Sequence, residues 1–242
     1  MNPHKITLPA AIAVLILSTA PVLTSCATLR PALKPLVTKA ADHLKEAVQD
    51  LDVEGIAQEH ACGVYISKGR ESAEAIFKHE WPIFAPVFET HPNPAADLKW
   101  CTDYLGALDV KIVSKPMGTN STAVCGVVAF GLGFESQPIE SQAAMCHHEL
   151  AHILGQKRMG CKDWLVDYAH VSGRLAAEGT AYALSDAALA RYNVSEADVY
   201  RQAERRAEGF PAAYGLSHTV TSECVGDYFG AIRRALRERA GV

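Results

Sequence analysis

The stretch CHHELAHILG at residues 146–155 limits the possible folds of this chain more than any other part. Its apolar residues predict a buried helix, and Gly155 is a plausible end of that helix. On a helix, His148 and His152 lie on one face, one turn apart. The same helix would bury His147 and Glu149 as well, and buried polar side chains need partners. Either these side chains share a ligand, or the helix carries incidental histidines.

The spacing of His148, Glu149 and His152 is that of the H-E-x-x-H motif, which is typical of zinc sites. Two imidazoles one turn apart can bind a single ion from one rigid element, and a catalytic zinc keeps a further position open for water. Glu149 lies about 100° round the helix from His148. It can therefore reach a metal-bound water as a general base without binding the metal. The motif predicts a catalytic Zn²⁺ site.

The composition is that of a folded, mildly acidic protein. At 242 residues the chain is one domain, or one domain with a small appendage, and 49% hydrophobic residues suffice for a core. Charged residues make up 21%, which excludes a mainly disordered chain. Because the formal net charge is only −4 and no basic run occurs, we expect no nucleic-acid partner.

The first residues have the pattern of a secretory signal, since Lys5 precedes a largely uncharged stretch that ends in small residues. The sequence LTSC, ending at Cys26, resembles the bacterial lipobox, in which the cysteine is lipidated and becomes the new N-terminus. Ala27 stands where an Asp would signal inner-membrane retention, so the resemblance implies a lipid anchor in the outer membrane of the cell envelope, facing the periplasm. An ordinary signal peptide or a membrane anchor is the alternative. The expected division is a signal peptide over 1–25, a lipidated tether over 26–35 and a single domain over 36–242.

The number of the remaining cysteines, six, is consistent with an exported protein. An even number of cysteines in an exported domain predicts up to three disulfides. A zinc site made of cysteines fits less well, because no C-x-x-C spacing occurs. We expect Cys146 to pair with Cys161, which would tie the H-E-x-x-H helix to the loop after it. The six residues are Cys62, Cys101, Cys125, Cys146, Cys161 and Cys224.

Hydrophobic periodicity predicts a mostly helical chain. Pro82 and Pro86 are expected to kink or interrupt one helix, and Gly209-Phe-Pro211 is expected to end another, which Ser195 opens in a capping-box variant with Asp198. The other predicted helices are 36–51, 71–88, 169–190 and 212–240, with loops at 91–94 and 160–167.

Two segments, 109–113 and 123–130, have the alternating or continuously apolar pattern of β-strands. Turn residues at 118–121 lie between them, so we expect the two strands to form a hairpin. The second strand comes shortly before the H-E-x-x-H helix.

Two histidines hold zinc poorly, so a third ligand is required. The metzincin pattern H-E-x-x-H-x-x-G-x-x-H fits as far as Gly155, but its last position is Arg158, which cannot bind zinc. The site is therefore not of the metzincin type.

The segment Glu178-Gly179-Thr180-Ala181 resembles the E-G-x-A segment of the peptidase MA-like gluzincins. Further similarities are Ala213-Tyr214 with Ser217, and Tyr228-Phe229-Gly230 at the end of a helix, so the resemblance covers about residues 140–235. It implies that Glu178 is the third metal ligand. The sequence departs from the family pattern at two places. The tyrosine that follows the E-G-x-A segment stands one position earlier here, at Tyr182, and Leu175-Ala176 stands where the family has a Trp-Leu pair.

Glu223 is the rival third ligand. With Asp227 it has the E-x-x-x-D spacing of another gluzincin group, in which the Asp supports a ligating histidine. We prefer Glu178 because of the E-G-x-A match. For either glutamate, an exposed helix face is the alternative.

The resemblance implies a zincin-like α+β fold, mostly helical, with a small sheet whose edge strand precedes the active-site helix. In such peptidases that strand pairs with an extended substrate, and 123–130 is the candidate, an ordinary sheet strand being the alternative. The expected function is hydrolysis of peptide or protein substrates in the cell envelope, with Glu149 as general base. Tyr214 is the first candidate for an oxyanion donor, ahead of His218 and His147. A non-catalytic envelope assembly or binding factor and a structural lipoprotein are the alternatives.

Overall fold

A computed structural model describes residues 62–90, 92–115, 118–214 and 221–240. The expected signal peptide, lipidation site, tether and first amphipathic helix all lie outside these residues. The described part is mostly helical and contains one three-stranded sheet, which confirms the expected α+β class at that level. None of the described helices is both long and apolar enough to cross a membrane.

The elements follow one another without long loops in the described part. In chain order they are α1 (Cys62–Glu89), α2 (Pro94–Ala107), β1 (Lys111–Ser114), β2 (Thr122–Val124), β3 (Val127–Phe130), a short 3-10 helix (Phe134–Ser136), α3 (Ile139–Met159), α4 (Cys161–Ala169), α5 (Val171–Arg191), α6 (Glu196–Ala213) and α7 (Ser222–Ala240).

Several expected helix ends are wrong. Pro82 and Pro86 do not interrupt α1, and α6 does not end at 209–211 but continues to Ala213. The predicted loop at 160–167 is mostly the helix α4. By contrast, Ser195 does cap α6, because its side chain accepts a hydrogen bond from the backbone nitrogen of Asp198 at 3.1 Å.

Gly155 does not end α3, which continues to Met159. A Cβ atom at this position would lie 2.8 Å from Nε1 of Trp164. The glycine therefore allows α4 to pack closely on α3, and its role is close helix packing rather than helix termination.

Helix α2 was not expected from the sequence. Its first residue is Pro94, and the side chain of the preceding Asn93 accepts a hydrogen bond from the backbone nitrogen of Ala96 at 3.1 Å. An asparagine cap followed by proline at the first helical position is a common helix start. That signal was present in the sequence.

The sheet has the strand order β1-β3-β2, with β1 parallel to β3 and β2 antiparallel to it. The expected hairpin between 109–113 and 123–130 is therefore wrong. The expectation that 123–130 is an edge strand is also wrong for 127–130, because β3 lies in the middle of the sheet, and of this segment only β2 is at an edge. The second segment itself folds into the hairpin of β2 and β3, because Cys125 and Gly126 both have positive φ angles, of 48° and 83°. Two such residues form the tight turn that matches the twist of paired strands.

Helix α5 is the centre of the fold and packs against α1, α3, α4, α6 and α7. Nearly all of its side chains are buried. The close contact with α7 requires Gly179, where a Cβ atom would lie 2.7 Å from Cδ1 of Ile232. This packing brings α5 against the H-E-x-x-H helix α3.

The expected disulfide Cys146–Cys161 is wrong. The described part contains Cys101–Cys146, which joins α2 to α3, and Cys125–Cys161, which joins the β2–β3 turn to α4. Cys146 lies thirteen residues before the end of α3, or about 20 Å along the helix axis. Because bridged Cα atoms lie within about 7 Å of each other, Cys146 cannot reach Cys161.

Candidate metal centre

Helices α3 and α5 bring His148, His152 and Glu178 together in the interior of the protein. The two histidine Nε2 atoms are 3.1 Å apart. That of His148 lies 3.5 Å from Oε2 of Glu178, and that of His152 lies 3.5 Å from Oε1 of the same carboxylate. All three side chains are buried. Among the described residues, this is the group of histidine, cysteine and acidic side chains that could hold a metal ion.

The ligand atoms of the three residues are close enough together to hold one metal ion. With metal–ligand bonds of about 2.0–2.1 Å, tetrahedral ligands lie about 3.3–3.4 Å from one another. The two imidazole nitrogens, 3.1 Å apart, and the pair of His148 Nε2 and Glu178 Oε2, 3.5 Å apart, are close to that value, and one ligand atom from each of the three residues lies within 4.8 Å of the others. The donor set of two imidazoles and one carboxylate also suits zinc.

Aromatic side chains hold the two imidazoles and the carboxylate in place. The ring of Tyr182 lies 4.5 Å from that of His148, and the ring of Trp164 lies 5.8 Å from that of His152. The hydroxyl of Tyr168 donates a hydrogen bond to Oε1 of Glu178 at 2.5 Å. Sequence reasoning missed Trp164 and Tyr168, because nothing in the local pattern distinguishes them from ordinary core aromatics.

The surroundings of Glu178 favour the ionised form of its carboxylate. Burial alone raises the pKa of Glu178, but the two imidazoles and the Tyr168 hydroxyl outweigh burial and lower it to about 2. Burial lowers the pKa of His152 to about 4. For His148, burial acts in the same direction, but Glu178 outweighs it and raises the pKa. The cluster thus has one anionic oxygen donor and at least one neutral imidazole, both suited to binding a cation.

Glu149 lies beside the ligand group without belonging to it. Its side chain is buried, and its Oε2 accepts no hydrogen bond from the described residues. Burial raises the pKa of this carboxyl to about 7, with Glu178 acting in the same direction and His148 and Lys115 opposing it. A carboxyl with a free oxygen beside a metal site can exchange a proton with a bound water.

The metal group lies on the wall of a cavity of about 360 Å³. Residues 119–124, which include β2, form one side of this cavity, and the last turns of α6 form another. Glu149 also lines it. We call this space the active-site cavity, and it is large enough for part of a peptide beside the metal group.

Gln156 fixes the position of β2 next to the metal group. It lies one turn after His152 on α3, and its amide donates to the carbonyl oxygen of Ala123 at 2.8 Å and accepts from the backbone nitrogen of Cys125 at 2.7 Å. The disulfide Cys125–Cys161 holds the same turn against α4. Sequence reasoning missed Gln156, because a single glutamine on a helix has no pattern that reveals its partner.

Lys115 holds the chain that leads into β2. Its side chain is buried, and Nζ donates to the carbonyl oxygen of Asn120 at 2.7 Å and to Oγ1 of Thr122 at 2.6 Å. Burial lowers the pKa of this lysine, while the nearby Glu149 opposes the shift. The edge of the active-site cavity is therefore a positioned segment rather than a free loop.

The other sequence candidates have different positions. Tyr214 lines the active-site cavity, and its hydroxyl and that of Tyr182 share a hydrogen bond. His147 lies in the core, fully buried between the rings of Phe84, Phe88 and Trp100. Burial lowers its pKa to about 3, so it is a neutral core residue and not an oxyanion donor.

Glu223 is exposed on α7 and does not belong to the metal-binding group. The candidate His218 lies outside the described residues. Of the two rival third ligands, Glu178 is the one that the fold brings to the histidines.

A second cavity, of about 170 Å³, lies behind the metal group and has His152, Glu80 and Thr180 among its lining residues. Oε2 of Glu80 and the hydroxyl of Thr180 are buried and have no hydrogen-bond partner in the described part of the chain. Burial raises the pKa of Glu80 to about 8, while Arg158 opposes the shift. Glu80 was not a sequence candidate, since an isolated glutamate on a helix is usually exposed.

Comparison of the chain with protein-family models, with curated proteins and with solved structures finds no match.

Proposed function

We propose that the protein is a zinc metallopeptidase of the gluzincin type that hydrolyses peptide bonds through a metal-activated water. The observation that carries the proposal is the metal group itself. Three buried side chains on α3 and α5 each place one ligand atom within 4.8 Å of the other two, beside the active-site cavity. A site with three protein ligands and access to a cavity is typical of catalytic rather than structural zinc.

His148, His152 and Glu178 would hold the Zn²⁺, which supplies Lewis-acid activation of the water and of the scissile carbonyl. Glu149 would accept a proton from the attacking water and pass it to the leaving amine. Its buried, unpartnered oxygen beside the ligands supports this assignment. Tyr214, at the end of α6 on the cavity wall, is the proposed donor to the oxyanion of the tetrahedral intermediate.

Strand β2 is the proposed binding edge for an extended peptide. It is the outer strand of the sheet beside the active-site cavity, and its other side pairs with β3, although the carbonyl oxygen of Ala123 already accepts a hydrogen bond from Gln156. Backbone hydrogen bonds to such an edge bind a peptide largely independently of its sequence. Gln156 and the disulfide Cys125–Cys161 keep this edge at a constant distance from the metal ligands.

The proposed location is the outer membrane of the cell envelope, with a lipid on Cys26 as the anchor. This part of the proposal rests on the lipobox-like sequence ending at Cys26. The disulfides Cys101–Cys146 and Cys125–Cys161 support an oxidising compartment.

The test is to measure zinc content and hydrolysis of an unfolded protein substrate with the wild type, Glu149→Gln and Glu178→Ala. We expect about one zinc per chain in the wild type and in Glu149→Gln, and hydrolysis only in the wild type. Glu178→Ala is expected to lose zinc and activity. Glu223→Ala is the matched control, because Glu223 is exposed and distant in sequence from the ligands.

Each departure from this pattern has a defined meaning. Zinc without hydrolysis would favour the non-catalytic binding factor over the peptidase. Full activity of Glu149→Gln would falsify the general-base assignment. A wild type that takes up no zinc when the metal is offered would reject the metal centre altogether.

A further inference from the structure

The charges that line the active-site cavity are distributed unevenly. Its lining carboxylates, among the described residues, are Glu149 and Glu178, and both belong to the proposed metal centre. The remaining charged side chains of the lining are Arg174, Arg205 and Arg206. Since a bound divalent cation would balance the two carboxylates, these arginines determine the electrostatic character of the rest of the cavity.

Arg206 shares its ion-pair partner, Asp186, with a second arginine. Its Nη1 lies 2.5 Å from Oδ1 of Asp186, but Oδ2 of the same carboxylate lies 3.2 Å from Nε of Arg233. One buried carboxylate thus serves two guanidinium groups, and the trio has a net charge of +1. The guanidinium of Arg206 also lies 4.9 Å from the ring centre of Tyr182, which in turn packs on His148. The guanidinium of Arg206 is therefore close to the metal group, while its Nη1 and Nη2 donate to Asp186 and Gln202.

Arg205 and Arg174 add positive charge to the lining of the same cavity. Arg205 precedes Arg206 on α6, and its side chain is exposed at the cavity rim. Arg174 is buried, and its Nε and Nη1 donate to the backbone carbonyl oxygens of Tyr168 and Tyr214 at 3.0 and 2.9 Å. These carbonyl groups hold the guanidinium in place without carrying a formal charge.

Across the cavity, the residues before and within β2 carry neutral side chains. Thr119, Asn120, Ser121 and Thr122 line this side, followed by two apolar residues of β2. A peptide lying along β2 would therefore run between a wall of neutral side chains, with the buried Lys115 behind it, and the arginines of α6. Its side chains that point away from the sheet would meet Arg205 and Arg206.

We propose that the active-site cavity selects substrates that place a carboxylate beside the scissile bond, with Arg205 and Arg206 as the residues that receive it. This inference rests on the proposed peptidase function and names its substrate class. The carboxylate could belong to an internal Asp or Glu or to the C-terminus of the substrate. Arginine suits both, since its planar guanidinium binds a carboxylate through paired hydrogen bonds.

The experiment compares peptides that differ at one position near the cleaved bond, with Glu, Gln or Lys there, each with a free or an amidated C-terminus. With the zinc-loaded full chain, we expect kcat/KM to be about 10-fold higher for Glu than for Gln, and lowest for Lys. A preference that follows the free C-terminus instead would identify the terminal carboxylate as the bound group. The preference is expected to weaken with added salt.

Arg205→Glu is expected to reverse the order of the Glu and Lys peptides. The control is Arg201→Glu on the same helix, because Arg201 is exposed, pairs with Asp198 and does not line the cavity. This control should keep the wild-type order.

Equal cleavage of the Glu, Gln and Lys peptides, with free and amidated ends alike, would overturn the carboxylate preference while leaving the peptidase proposal intact. If no peptide is cleaved, the peptidase proposal fails on its own terms. The carboxylate preference can then still be tested by labelling the same peptides with a fluorophore and measuring their affinity for the Glu149→Gln protein. Equal affinity for all of them would overturn the inference without reference to activity.

Discussion

Replacing Glu80 with glutamine should make the stability of the protein less dependent on pH. Glu80 lies on α1, is 3% exposed, and its Oε2 accepts no hydrogen bond from the described residues. Burial raises the pKa of its carboxyl from 4.5 to about 8, with Arg158 opposing the shift. Glutamine has nearly the same shape as the protonated acid but cannot ionise.

The sign follows from proton binding in the two states. Between pH 4.5 and about 8, the unfolded chain has lost the Glu80 proton while the folded protein still holds it. The contribution of Glu80 is therefore fully present below pH 4.5 and is lost as the pH rises towards 8. Each pH unit in this window costs about 1.4 kcal/mol of unfolding free energy. From pH 5 to pH 8 the loss is at most about 3.5 kcal/mol.

The assay is urea unfolding of the wild type and Glu80→Gln at pH 5, 6, 7 and 8. We expect the variant to gain stability over the wild type steadily with pH, reaching about 2–3 kcal/mol more at pH 8 than at pH 5. Glu74→Gln is the matched control, because Glu74 is exposed on the same helix. This control measures the effect on stability of removing the negative charge of an exposed carboxylate.

A difference between wild type and Glu80→Gln that stays constant from pH 5 to pH 8 would refute the reasoning. It would mean that the carboxyl ionises as readily in the folded protein as in the unfolded chain. Water entering the second cavity beside Glu80 would be the physical reason, since solvation of the charged form removes the cost of burial.

Three further outcomes are expected. Tyr168→Phe removes the hydroxyl that donates to the carboxylate of the proposed third ligand at 2.5 Å, so zinc affinity in a chelator competition should fall about 10-fold or more; an unchanged affinity would exclude this support role. Gly179→Ala places a Cβ atom 2.7 Å from Cδ1 of Ile232 and should lower the unfolding free energy in urea by about 1–3 kcal/mol, whereas Gly209→Ala, with no atom within 4 Å of the new Cβ, should not. Replacing both cysteines of the disulfide Cys101–Cys146, which are 45 residues apart in sequence, by alanine should cost about 4 kcal/mol in the same measurement; a loss below about 1 kcal/mol would show that packing alone holds α2 on α3.

The part of the site that could be predicted from the sequence is the part built within one helix. The positions of His148 and His152 on one face, and of Glu149 beside them, follow from the 3.6-residue turn of the helix alone. The caps at Ser195 and Asn93 are equally local, because a side chain there bonds to a backbone nitrogen three residues later. The cap at Ser195 was predicted from the sequence, whereas the cap at Asn93 was not, although the same local signal was present there.

The positions of Pro82, Pro211 and Gly155 show where local rules fail. Each residue has a low preference for the helix interior, yet each lies inside a helix. Burial of the surrounding apolar residues outweighs a local cost of about 1–3 kcal/mol. For Gly155, the missing side chain is itself required, because Trp164 occupies the space.

The remaining features depend on residues that are distant in the chain. Glu178 meets the histidines because α5 packs on α3, and Tyr168 meets Glu178 because α4 packs on both. The parallel pairing of β1 with β3 and the disulfide Cys125–Cys161 likewise join segments with different local patterns. Backbone geometry within one helix is nearly the same in every protein, so spacing alone reveals His148, Glu149 and His152. Which helices touch is settled only by the simultaneous burial of many side chains, and a single sequence does not display that balance.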